Sequence, residues 1–120
     1  MQEIIEIPSL EFYGDDFELL LDYLDSLGNP PYKIMSRLNL TGIKNVKTLG
    51  NLTYVGGYLN LFKSSIESLP DNLHVGNSLS LAYTNMTSLP DNLNVDGDLV
   101  LFNSKITSLP NNLYVGNSLL

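Results

Sequence analysis

The sequence predicts a mainly β chain wound as a right-handed parallel β solenoid of about four to five coils, with an N-terminal α-helical cap. Three observations carry this. The hexapeptide SLPDNL fills residues 68–73 and 88–93, and SLPNNL fills 108–113, so the chain repeats every 20 residues. Within one repeat the apolar residues Leu69, Leu73, Val75, Leu79, Leu81 and Met86 stand 4, 2, 4, 2 and 5 positions apart, a spacing that matches no helix face. Gly, Asn, Asp and Pro fill the intervals around the short L-x-V and L-x-L pieces, so the backbone must bend several times in each repeat. One such coil has two raw faces and cannot bury its apolar side chains alone. Stacked copies complete one another by burying both faces and pairing their strands in parallel.

The elements follow in chain order. Residues 1–36 are assigned to the cap. Residues 3–7, where Ile and Glu alternate loosely, predict an edge strand. The stretch GDDFELLLDYLDSLGNPP predicts a helix over about 16–27, with Asp15 as N-cap, acidic residues in its first turn, and Gly28 and Pro30 as its stop. Its apolar face, Phe17, Leu20, Leu21, Leu24 and Leu27, is assigned to covering the first coil; the alternative is a helix that binds a partner. Residues 37–120 form the predicted solenoid. A degenerate first unit places Leu38 and Leu40 21 residues before Leu59 and Leu61, and the blocks 48–67, 68–87 and 88–107 follow. The block from 108 stops inside its L-x-L piece, so the last coil is incomplete.

The pattern L-x-L, then Ile or Met, then S-L-P-x-N-L-x-V resembles the short class of leucine-rich repeats, of about 20 residues. It is similar to the L-P-x-x-L repeats of bacterial effector proteins, and more so to N-L-x-V-G-G-x-L-x-L repeats of bacteriophage and bacterial proteins. The resemblance covers residues 38–120 and implies a curved solenoid whose concave parallel sheet is built from the L-x-L pieces. Only Asn85 and Asn103 sit near the place of the family's asparagine ladder, which leaves both a horseshoe and a straighter triangular coil open. It also implies a phage or bacterial protein that occupies another protein.

Composition narrows the function. The net charge is −7 with only six Lys and Arg, so the basic stripe of a nucleic-acid binder is missing, and an anionic membrane is an unfavourable partner. A basic protein surface is the better electrostatic match. No cysteine is present, which excludes disulfides, thiolate metal sites and a cysteine nucleophile. The acidic N-terminal stretch has no basic n-region or long apolar core, so no signal peptide or membrane span is expected and a cytoplasmic protein is. The Asn-x-Thr sequons at Asn39, Asn51 and Asn85 read as accidents of composition.

No chemistry-bearing constellation emerges, and neither an enzyme nor a cofactor or metal site is expected. The single histidine, His74, has Tyr54, Asn94 and Tyr114 as repeat equivalents and reads as a surface residue. Asp96-Gly97-Asp98 lacks the further acidic ligands of a calcium loop and reads as a turn. The glycines at 56, 76, 97 and 116 are ascribed to turn geometry. What remains is surface. If L-x-L points inward, the residues between point outward, in rows that include Ser78 and Ala82. The predicted partner-binding residues on that face are Arg37, Asn39, Tyr58, Asn60, Phe62, Ser80, Tyr83, Asp98, Val100 and Phe102. Exposed aromatics there serve either as anchors for a protein or as a ladder that stabilises the sheet. A second class of function is structural: self-association, as a homodimer or within a larger assembly, through the open end at Ser118, Leu119 and Leu120. A continuation of the chain, or these leucines packing down as their own cover, are the competing readings of that end.

Overall fold

The computed structural model describes residues 3–120, so the first two residues of the predicted cap lie outside it. The fold is a parallel β solenoid of about four turns with one α-helix near its N-terminus. The strands β1 (Ile5–Ile7), β2 (Tyr32–Ile34), β4 (Leu52–Val55), β6 (His74–Val75), β8 (Asn94–Val95) and β10 (Tyr114–Val115) form one sheet in that order. A second sheet contains β3 (Leu38–Asn39), β5 (Leu59–Asn60), β7 (Leu79–Ser80) and β9 (Leu99–Val100). Both predicted strand pieces are therefore strands, one in each sheet. The register follows the repeat: Tyr54 pairs with His74, His74 with Asn94, and Asn94 with Tyr114. Leu38 pairs with Leu59, a step of 21 that absorbs the extra residue of the degenerate unit. Among the described residues, the third side of each coil carries no strand.

Period two along the strands decides what is inside. Leu38, Leu59, Leu79 and Leu99 in one sheet, and Val55, Val75 and Val95 in the other, are fully buried. The SLPDNL corner adds Leu69 and Leu73 to this core. Between them Asn72 and Asn92 take left-handed backbone with φ of 64° and 59°, which asparagine tolerates better than most residues. The Asn92 amide donates to Asn72 Oδ1 at 2.9 Å, so the corners are also laced together from coil to coil.

The recurrent glycines have a different origin from the one expected. Gly56, Gly76, Gly97 and Gly116 do not adopt positive φ. They lie where one coil passes over the previous one: a Cβ at Gly56 would stand 2.5 Å from the Met35 carbonyl oxygen, and one at Gly116 would overlap that of Asp96. Close approach of the neighbouring coil, rather than a positive φ, marks each of these glycines, although Asp96 fills the register position of Gly56, Gly76 and Gly116, so the approach is tight at individual coils and not along the whole stack.

The cap helix α1 spans Phe17–Ser26. Its N-cap is Asp16 rather than Asp15: the Leu19 N–H donates to Asp16 Oδ1 at 3.1 Å, while Asp15 lies in left-handed backbone (φ 58°) after a short 3-10 turn, Leu10–Tyr13. At the other end Gly28 (φ 86°) donates to the Asp25 carbonyl and Asn29 to that of Leu24, a pairing that terminates helices. Phe17, Leu20 and Leu24 are buried and Leu21 packs beside them. Leu27 departs from the predicted face: it follows the last helical residue and is exposed. The solenoid also starts earlier than the repeat suggested. β1 is the edge strand expected from residues 3–7, and β2 pairs with β4, Tyr32 opposite Leu52, so the first coil begins upstream of the boundary drawn at residue 37.

Tyr32 replaces a core leucine and must satisfy its hydroxyl. It is buried and donates to the Leu49 carbonyl at 2.6 Å. Burial pushes this hydroxyl well above its ordinary pKa. Folding thus favours the protonated form, and its contribution is complete below the unfolded value of about 10 and lost as pH rises above it. Tyr32→Phe should cost about 1–3 kcal/mol at neutral pH, because the Leu49 carbonyl loses its buried donor. It should also flatten the loss of stability above about pH 10. Urea midpoints of both proteins at neutral and alkaline pH measure this; an equal alkaline loss in both would contradict it.

Candidate protein-interaction surface

The outward face of the second sheet is built by register. With Leu59, Leu79 and Leu99 inside, Asn60, Ser80 and Val100 stand outside in one row, and Asn39 continues it. The polar members of this row are partly engaged. Asn39 Oδ1 accepts from the N–H and hydroxyl of Thr41, at 3.1 and 2.7 Å. Asn60 Oδ1 accepts from Phe62 N–H at 3.0 Å, and Ser80 Oγ from Ala82 N–H at 3.5 Å. Each side chain thus closes the turn that follows its own strand, a local use that the recurring N-x-T, N-x-F and S-x-A triplets signal.

After that turn comes the aromatic strip. Phe62 and Tyr83 meet edge to face with centroids 5.3 Å apart, and Tyr83 and Phe102 do so at 6.0 Å. Tyr83 belongs to the next register position, where Lys63, Tyr83 and Asn103 share φ near 58°, at 58°, 58° and 57°. Backbone bonds stack these turns: Lys63 N–H donates to the Ala82 carbonyl and Tyr83 N–H to that of Phe102. Tyr83 and Phe102 remain about half exposed (49% and 50%), whereas Ala82, expected on the open face, is fully buried. A methyl group between the registers of two phenylalanines is too short to reach solvent. The Lys63 ammonium lies 5.4 Å from the Phe62 ring centroid and 5.7 Å from that of Tyr83. The Lys44 ammonium donates to the Lys63 carbonyl at 3.0 Å, so a second cation stands at the same turn.

Arg37 and Tyr58 do not join this strip. They lie at the opposite ends of the short strands, where they line a cleft of about 620 Å³ with Ser9, Glu11, Asp15 and Ser36. Ser9, Glu11 and Asp15 come from the segment before the cap helix, and no repeat pattern could have placed them there. Asp98 lies at the far end of the Arg37–Tyr58 side of the sheet. Its Oδ1 accepts from Asn117 Nδ2 at 2.7 Å and from Ser118 N–H at 3.0 Å, which ties the last coil to the one before.

Asp96, two residues away, is within hydrogen-bond distance of His74 instead, Nε2 to Oδ2 at 3.0 Å. His74 is partly exposed and packs its ring edge against Tyr54. No group of three or more metal-ligating side chains occurs among the described residues, and no helix there is long and apolar enough to cross a membrane. The terminal residues Ser118, Leu119 and Leu120 pair with β9 through Leu99 N–H to Ser118, Leu120 N–H to Leu99, and Leu101 N–H to Leu120. Leu119 and Leu120 stay exposed. In comparisons with known proteins, no family model, curated sequence or solved structure matches this chain.

Proposed function

We propose that this chain is a non-catalytic protein-interaction module and that its partner docks on the strip Phe62–Tyr83–Phe102. The observation that supports this most is the strip itself: three contiguous rings, two of them half exposed, beside a cation with no carboxylate within salt-bridge distance among the described residues. Aromatic side chains of this kind are the usual anchors of protein interfaces. The resemblance of the repeats to phage and bacterial repeat proteins favours a phage or bacterial setting. Replacing both Phe62 and Phe102 by Ala removes two ring pairs and should cost about 1–3 kcal/mol, leaving the chain folded. Affinity capture with quantitative mass spectrometry is the test. A protein retained in near-stoichiometric amount by the unmodified chain should be lost with the double variant. Unchanged retention, with a large loss of stability, would make the rings a structural ladder only.

A second reading is self-association through the last coil, on which Leu109 and Leu119 are about half exposed (46% and 50%). Leu119→Asp should abolish any concentration-dependent increase in mass that runs through this surface.

A further inference from the structure

The charge of this chain is unevenly placed. Eight of the thirteen Asp and Glu lie within the first 25 residues, and no Lys or Arg precedes Lys33. The cap is therefore strongly acidic, and its outer surface is also apolar. Leu19 and Tyr23, one helical turn apart on α1, are exposed, as is Phe12 just before it. Asp22 and Glu18 flank them. The aromatic strip has the opposite character: Lys63 sits in the turn of Phe62, the Lys44 ammonium reaches that turn, and Lys105 follows the turn of Phe102. One molecule thus presents an acidic apolar surface and a basic aromatic one. Glu18 and Asp22 also line, with Lys47 of the first coil, a shallow cleft beside the helix, and no ion pair forms there among the described residues.

From this we infer that the strip's occupant is a second copy of this chain: the acidic cap of one copy docks on the aromatic, lysine-bearing strip of the other. The inference rests on the strip being a docking face. Two copies lying antiparallel make the contact twice about a two-fold axis, with each cap against the later coils of its neighbour. The rings and Leu19, Tyr23 and Phe12 supply the apolar centre of the contact, and the charges set its register and exclude cap-to-cap pairing.

Sedimentation equilibrium of the full chain over a wide concentration range, at low and high salt, tests it. The mass should rise from 13.3 kDa towards twice that value, and added salt should weaken the association. Lys63→Glu alone and Asp22→Lys alone should each weaken it by about tenfold or more, since each sets like charges against one another. An equimolar mixture of the two variants should associate again, because the reversed charges then face each other. Phe62→Ala with Phe102→Ala should remain monomeric, and Leu119→Asp should associate normally.

A chain that stays monomeric at every concentration overturns the inference, while partner capture sensitive to the phenylalanine pair would still uphold docking on the strip. Association that ignores Lys63→Glu but disappears with Leu119→Asp overturns it too, and assigns the contact to the last coil. Association without rescue in the mixed variants overturns the charge pairing.

Discussion

Replacing Leu79 by Asp unfolds the chain at neutral pH. Leu79 has no solvent exposure and sits in mid-stack, paired with Leu59 on one side and Leu99 on the other. The substitution removes about 1.5–3 kcal/mol of apolar burial. It also buries a carboxylate without a cation, a penalty of several kcal/mol. A domain of this size has about 5–15 kcal/mol in total. In a solenoid the damage is not local, because each coil is stabilised by the two it touches. Circular dichroism should show the strand signal lost at neutral pH. Partial recovery is expected in acid, where the carboxyl is neutral. Leu79→Met, similar in volume, should cost less than about 1.5 kcal/mol. A cooperative transition in the Asp variant near the original urea midpoint would show that Leu79 does not face the shared interior.

The second large effect comes from one methyl group. A Cβ at Gly56 meets the carbonyl oxygen of Met35 at 2.5 Å and its carbon at 2.8 Å, and neither can turn away as a flexible side chain would. Gly56→Ala must push two coils apart, at the upper end of overpacking costs, about 3 kcal/mol or more. Gly42 provides the comparison. It has φ of 72° with nothing within 4 Å of the added carbon, so Gly42→Ala pays only left-handed strain, about 1–2 kcal/mol. Urea titration of both variants should rank Gly56→Ala as the more damaging. The reverse order would mean that the coils do not approach one another so closely.

The contrast between these two glycines shows where sequence reasoning stopped. Both look like turn residues in a repeat. Only the path of the neighbouring coil separates a glycine needed for its φ from one needed for its missing side chain. The inward leucines and valines were legible because period two is a local property of a strand, and the twenty-residue spacing aligned them without ambiguity. The small polar residues were less legible. Ser64 and Thr84 are buried although they look like surface turn-formers, because their hydroxyls bond to the backbone nearby: Thr84 donates to the Leu81 carbonyl at 2.8 Å, and Ser64 Oγ accepts from Ile66 N–H at 3.4 Å.

The candidate surface divides in the same way. Phe62, Tyr83 and Phe102 could be placed on one face from the repeat alone, and so could Arg37 and Tyr58. Their separation into two groups, one an exposed ring stack and the other a cleft shared with Ser9, Glu11 and Asp15, follows from the turn after each strand and from the docking of the cap. The oxygens of Asn39, Asn60 and Ser80, which the repeat puts beside the buried leucines of their strands, are engaged in closing those turns.

By itself, the sequence determined the coil: its period, its two strand pieces, its buried positions, its helical cap and the bias of charge towards that cap. These are set by the spacing of apolar residues and by turn chemistry, which act over a few positions. Only the tertiary structure decided where the first coil begins, which glycines separate coils, which rings touch, and which lysines stand beside them. Those depend on contacts between residues about twenty positions apart, and their distances exist only once each coil is laid on the next.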